Sequence, residues 1–206
     1  MMVSKNNQQP KIRFPGYTND WKEEKLGNLG KTMNGLTYAP SDVRSSGLLV
    51  LRSSNVQNGE LCFDDNVFVD IEVPEEAKTQ PDDILICVRN GSKKLIGKTA
   101  LITEKCPNST HGAFMSIFRG EKNIFVFQLM QTYTYHHQVY MNLGATINSI
   151  NGSNLKRFKF HVPYEVGEQQ KIVSFISVLD KKIEFVSRQI EQTKTFKKGL
   201  LQQMFV

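Results

Sequence analysis

Between Ile172 and Ile190 an apolar residue returns at every third or fourth position: Ile172, Ile176, Leu179, Ile183, Val186 and Ile190. Alternating steps of four and three keep all six on one stripe of an α-helix and set a seven-residue repeat, the pattern of helices that pack along other helices. No proline interrupts the segment from Glu168 to Val206, so it predicts one continuous helix about 55 Å long, far more than a small domain needs to close its own core. No second segment of this kind occurs in the chain. The stripe therefore calls for a partner from outside, and these six residues are the candidate dimerisation face. Glu168 falls in the first turn, where a carboxylate is favourable at the positive end of the helix dipole. Gly167 is the expected hinge into the helix, and Gly199, which costs about 1 kcal/mol in a helix interior, is where the last turn is expected to bend or fray.

Upstream the punctuation is different. Residues 1–11 are polar and rich in Asn and Gln, and Arg13-Phe14-Pro15-Gly16-Tyr17 sets two aromatics around a turn signal. Trp21 and Leu26 follow in a charged stretch expected to form a short helix or strand. Strands are then expected at Gly47–Arg52, at Glu60–Phe63 after the turn Asn58-Gly59, at Ile84–Val88, at Gly97–Ile102 and at Ala113–Arg119. Ile124–Tyr140 is apolar on one side and predicts a single helix. Val162-Pro163 closes the globular part. The whole reads as α+β: a mostly-β domain over residues 1–166, then a long coiled-coil helix over 167–206.

The net charge is +6, shared equally between residues 1–167 and the remainder. This mild excess suits a phosphate-rich partner without requiring one. Cys62, Cys87 and Cys106 are odd in number and widely spaced, with no C-x-x-C pair; they read as small core residues in a reducing compartment. With no apolar leader and no apolar run of membrane-spanning length, the expectation is a cytoplasmic protein.

The residues argue against stand-alone catalysis. In Gly91-Ser92-Lys93-Lys94-Leu95-Ile96-Gly97-Lys98-Thr99 the two glycines are six positions apart, where a phosphate-binding loop has five. Pro81-Asp82 lacks the following acid-x-Lys of a metal-dependent nuclease. His136 and His137 are adjacent, so they cannot both face one ion from a helix, while His111 and His161 stand alone. Val162-Pro163-Tyr164 lacks the amide and second proline of an adenine-methylating motif. No catalytic or metal-ligating residue is assigned.

Three loops carry side chains suited to nucleic acid. In the second, Arg89 and Asn90 are the types that pair bidentately with guanine and adenine edges, while Ser92, Lys93 and Lys94 suit phosphates. The stretch 144–157 is dense in amides and hydroxyls with a basic end, offering Thr146, Asn148, Ser149, Asn151, Ser153 and Lys156. A weaker candidate follows the first strand, with Arg52, Ser54 and Asn55. Each loop read alone is equally an ordinary solvated turn.

Four stretches resemble one half of the specificity subunit of a type I restriction-modification system: RFPGYTNDWKEEKLGNL, DDILICVRNGSKKLIGKTALI, GATINSINGSNLKRFKFHVPYEVGEQQKIVSFISVLDKKI and KKGLLQQMF. Together they sample nearly the whole chain from Arg13 to Phe205. The resemblance implies a target recognition domain that reads one part of a split double-stranded DNA sequence. It also implies a spacer helix, and docking of modification (methyltransferase) subunits that use S-adenosylmethionine and restriction subunits (ATP-dependent translocase and nuclease). No cofactor is expected on this chain itself; S-adenosylmethionine, ATP and Mg would sit in the partners. Family members carry two such domains and two antiparallel helices, so the chain reads as a half-length subunit, natural or excised. Asp82 departs from the family, which usually has Gly there.

Combined with the unpaired stripe, the resemblance implies a two-fold homodimer with antiparallel helices. The expected target is an interrupted palindrome with half-sites about one turn of DNA apart. The alternatives are a non-catalytic coiled-coil adaptor whose globular part binds protein, and a stand-alone nuclease.

Overall fold

The computed structural model describes residues 9–143 and 148–205. It groups into two units: residues Asp20–Val162, and Pro10–Asn19 together with the chain from Pro163 onward. The grouping differs from a simple division at residue 166, because ten residues near the amino end join the helix.

The first unit runs β1 (Lys22–Lys25), α1 (Leu26–Leu29), β2 (Lys31–Asn34), β3 (Val43–Arg44), β4 (Leu48–Leu51), β5 (Val56–Gln57), β6 (Glu60–Leu61), β7 (Phe68–Val69), β8 (Ile84–Cys87), β9 (Thr99–Leu101), β10 (Ser109–His111), β11 (Met115–Arg119), α2 (Asn123–Met130), α3 (Tyr133–Asn142), α4 (Gly152–Arg157) and β12 (Lys159–Val162). Two four-stranded sheets, ordered β2-β11-β8-β9 and β10-β4-β7-β3, carry most of the structure, and β1 pairs with β12. The pairings are antiparallel except that of β10 with β4. Alternate residues of both large sheets make one apolar core: Leu49 and Leu51 of β4, Leu85 and Cys87 of β8, Ala100 of β9, and Met115 and Ile117 of β11. The two-residue period turns Ile84 and Ile86 to the opposite face, and they are buried as well. This explains why β8 reads as an unbroken apolar run.

Several sequence expectations need adjustment. The turn at Asn58-Gly59 is a tight hairpin with φ of 52° and 84°, as positive φ at both central residues requires, but β6 ends at Leu61 rather than Phe63. Ala113 and Phe114 belong to a turn closed by Met115 N donating to Gly112 O at 2.8 Å, so β11 starts two residues late. The single helix expected at 124–140 is two. Thr132 is extended (φ −82°, ψ 156°) and its Oγ1 accepts from Tyr135 N, making it the cap of α3.

Asp82 has φ +67°, a left-handed conformation that glycine adopts without steric cost. The departure from the family's usual Gly is thus met by strain at this one residue, while the strand after it is intact. Next to it, Asp83 is buried and clamped by Arg119, with Nε to Oδ1 at 2.7 Å and Nη2 to Oδ2 at 2.6 Å. Burial raises the thiol pKa values of Cys87 and Cys106, in keeping with packing roles. His111 is also buried, its Nε2 at 3.1 Å from the Met33 carbonyl oxygen, and burial lowers its pKa.

In the second unit α5 runs Val166–Met204, about 58 Å at 1.5 Å per residue. Gly167 lies inside the first turn rather than at a hinge, and the helix continues through Gly199. Among the described residues no side chain caps its start; residues 10–19 fasten it instead. Arg13 forks onto Glu168, Nε to Oε1 at 2.7 Å and Nη2 to Oε2 at 2.9 Å. Phe14 meets Phe175 edge to face with centroids 5.8 Å apart, Lys171 Nζ lies 5.1 Å from the Tyr17 ring centroid, and Asn19 Nδ2 donates to Glu165 at 2.8 Å. Ile172 and Ile176 are half-buried, while Leu179, Ile183, Val186 and Ile190 are exposed.

Candidate nucleic-acid interface

The three polar loops, distant in sequence, meet at one edge of the first unit. Asn90, just after β8, donates from Nδ2 to Ser53 Oγ at 2.9 Å, joining the second loop to the first. On the other side Asn148 Nδ2 donates to Gly91 O at 3.1 Å, Arg89 bridges to Ser149, and Ile150 N donates to Val88 O at 2.8 Å. Asn90 Oδ1 also accepts from Ser92 N at 3.0 Å, folding Asn90-Gly91-Ser92 into a turn that leaves Ser92, Lys93 and Lys94 exposed. The loops are therefore preorganised by one another, and the asparagines do much of the joining.

Above this frame Arg89 is exposed, with its guanidinium carbon 5.5 Å from the Phe114 ring centroid, a distance at which the aromatic face attracts a cation. Farther along, Asn151 caps α4 by accepting from Asn154 N at 2.8 Å, and Ser153 and Lys156 are exposed on that helix. Thr146 lies outside the described residues, as do its neighbours 144, 145 and 147.

The first loop contributes less than expected. Asn55 is fully buried, and its side chain is engaged at both ends: Oδ1 accepts from Arg52 N at 2.9 Å, and Nδ2 donates to Cys62 O at 2.9 Å and more weakly to Asp65 O and Asn66 Oδ1. It is a turn-building residue that cannot reach a base, and it leaves the candidate set. Arg52 is paired with Asp65, Nη2 to Oδ2 at 2.8 Å. The Ser54 hydroxyl is buried without a hydrogen-bond partner among the described residues. Ser53 is the member of this loop tied to the others.

Sequence reasoning passed over the neighbouring cleft of about 520 Å³, lined among others by Thr37, Tyr38, Arg52, Ser53, Asp65 and Phe114. Gly112, which also lines it, is approached closely by the backbone at Gly35, where a Cβ would sit 2.1 Å from Gly112 O. Apart from Arg52, neither periodicity nor motif marks these residues. The one local signal is Gly112-Ala113-Phe114, a glycine and an exposed aromatic between two strands. No group of His, Cys, Asp or Glu able to hold a metal occurs among the described residues.

Residues 18–195 match the family described as the type I restriction modification DNA specificity domain. The chain belongs to this family. Its relatives include the specificity subunits of the type I restriction enzymes StySPI of Salmonella potsdam and EcoKI of Escherichia coli K12. Each is 27% identical over 195 residues, which cover 88% of this chain and 42% and 41% of those proteins. The S subunit of a type I restriction-modification system from M. genitalium shares the fold, with a TM-score of 0.66 at 17% identity over 95% of this chain and 48% of that one. The HsdS subunit from Thermoanaerobacter tengcongensis has a TM-score of 0.58 at 14% identity, covering 87% and 41%. This family member thus spans less than half the length of each of these relatives.

Proposed function

We propose that this chain is a DNA-specificity subunit of a type I restriction-modification complex, reading one half of a bipartite duplex target and catalysing nothing itself. The observation that carries the reading is the convergence of the loops: Arg89, Ser92, Lys93, Lys94 and Ser149 stand on one hydrogen-bonded frame, and Asn151, Ser153 and Lys156 follow it directly in the chain. Exposed Arg among amides and hydroxyls suits base edges, and flanking Lys suits phosphates. Methyl transfer, with S-adenosylmethionine, and ATP-driven translocation and cleavage, with Mg, belong to partner modification and restriction subunits.

The exposed stripe Leu179, Ile183, Val186 and Ile190 supports a homodimer through α5. A two-fold axis between antiparallel helices makes the two half-sites inverted copies of each other. Val178, Phe185 and Phe196 are exposed too and lie about 110–130° round the helix from that stripe by its 3.6-residue period, a second line available to the methyltransferase subunits. No described helix is long and apolar enough to cross a membrane; we place the protein with its DNA in the cytoplasm.

The test is to map adenines methylated when the full chain is supplied with its methyltransferase partner. Identical inverted half-sites are expected; two unlike half-sites would refute the homodimer. Arg89→Ala should cost about 1–3 kcal/mol on the target and relax its sequence preference, and Asn148→Ala should do the same indirectly by releasing Gly91. Lys156→Ala should weaken binding to all sequences alike and lower the salt slope by about 1. Equal losses on target and random DNA for the first two variants would refute the assignment of the reading loops.

A further inference from the structure

Phe114 is an unusual residue to find among polar loops: the residue is 56% exposed, yet its backbone is held by hydrogen bonds to a neighbouring strand end. It sits with exposed Ala113 at the apex of the Gly112–Met115 turn. Its carbonyl oxygen accepts from both Val88 N at 3.0 Å and Arg89 N at 3.1 Å, which pins the turn to the end of β8. The ring borders the cleft shared with Tyr38, Ser53 and the Arg52–Asp65 pair, and Arg89 lies over it. An apolar side chain carried on a pinned turn beside cationic and amide groups has a natural counterpart in duplex DNA. The major groove presents hydrogen-bonding atoms at every base pair but only one apolar group, the C5-methyl of thymine.

Resting on the DNA-reading assignment above, we propose that Phe114 is a specificity-determining residue that packs on a pyrimidine C5-methyl group while Arg89 reads an adjoining base edge. The ring gains from burial only where a methyl is present, and its contact with Arg89 orients the guanidinium, so the pair acts as one reading unit. The shared chemistry, a C5-methyl, is found on thymine and on 5-methylcytosine. The fixed ring selects it on either base, and the hydrogen bonds of Arg89 and the surrounding amides distinguish the base that carries it.

The test uses the full chain with its methyltransferase partner and the duplex it selects from a random library. Thymines of that duplex are replaced one at a time by uracil, and cytosines by 5-methylcytosine, and affinities are compared for the wild type, Phe114→Ala and Phe114→Leu. Removing one methyl contact at a single thymine per half-site should weaken the wild type by about fourfold, the value of one buried methyl-sized group. Phe114→Ala should bind the thymine and uracil duplexes equally, and Phe114→Leu should keep part of the difference. Should the methyl reside on 5-methylcytosine instead, affinity should rise by a similar factor at one cytosine and Phe114→Ala should abolish that gain. Because the turn is held by backbone bonds, both variants should fold, which circular dichroism checks. A selected sequence whose binding ignores every C5-methyl, or a methyl effect that survives in Phe114→Ala, overturns this contact alone. A chain that selects no sequence overturns the DNA-reading assignment as well.

Discussion

If two copies pair through α5 as proposed, replacing Ile183 by serine should dissociate them. Ile183 is 64% exposed in the single chain. Fully covering an isoleucine is worth up to about 3 kcal/mol, so a partner that covers the open two-thirds contributes about 2 kcal/mol. In a two-fold interface the same residue is lost from both copies, which brings the penalty to about 4 kcal/mol, or roughly a thousandfold in the dissociation constant. Sedimentation equilibrium of the full chain over a concentration series reads this directly: the wild type should be dimeric where Ile183→Ser is monomeric, with unchanged helical circular dichroism. Phe185→Ser is the matched control, since that residue is 58% exposed but lies off the heptad stripe. It should leave the dimer intact and weaken association with the methyltransferase subunit instead. A monomeric wild type, or equal weakening of self-association by both substitutions, would refute the assignment of the stripe.

Two further outcomes concern the first unit. Asp82→Gly should raise stability by about 0.5–1 kcal/mol, seen as a higher urea midpoint, because it relieves a left-handed residue while the hydrogen bonds made there, Asp82 N to Ile102 O and Asn123 Nδ2 to Asp82 O, involve only its backbone. A lower midpoint would contradict the strain. Burial lowers the pKa of His111 from its usual 6.5, with the Met33 carbonyl only partly opposing it. The unfolded chain therefore binds this proton more readily than the folded one. Stability should fall as pH drops below about 6.5, by at most about 1.4 kcal/mol per pH unit until the folded-state value is reached. Unfolding curves of the wild type and His111→Gln should diverge in that window, and parallel curves would contradict the burial argument.

What could be read from the sequence was what depends on near neighbours in the chain. The heptad of α5, the apolar run of β8 and the Asn58-Gly59 hairpin are patterns of consecutive residues, and each appears where expected. The division between α2 and α3 was missed because Thr132 supports a helix start equally well from inside a longer apolar pattern, and its choice depends on packing. Asn55 looked like a base reader because its residue type is right. Only the folded chain shows its amide spent on Cys62 and Asp65. The meeting of the three loops, the Arg13–Glu168 clasp and the Phe114 turn join residues far apart in sequence, and no local signal announces them. Side-chain chemistry identified candidates for the interface, while long-range pairing decided which of them stand together.

The pairing of β1 with β12 has a consequence for how such proteins can change. Lys22 lies opposite Val162, so the first unit enters and leaves through adjacent strands, about 5 Å apart. Every loop we assign to nucleic acid is strung between those two points, whereas the clasped base of α5 is built from segments just outside them. A stretch of chain whose ends are neighbours can be exchanged for another of different length and loop chemistry while the scaffold keeps its geometry. Under the proposed function, new target preferences could then arise by replacing a cassette while the helix proposed for assembly is left untouched.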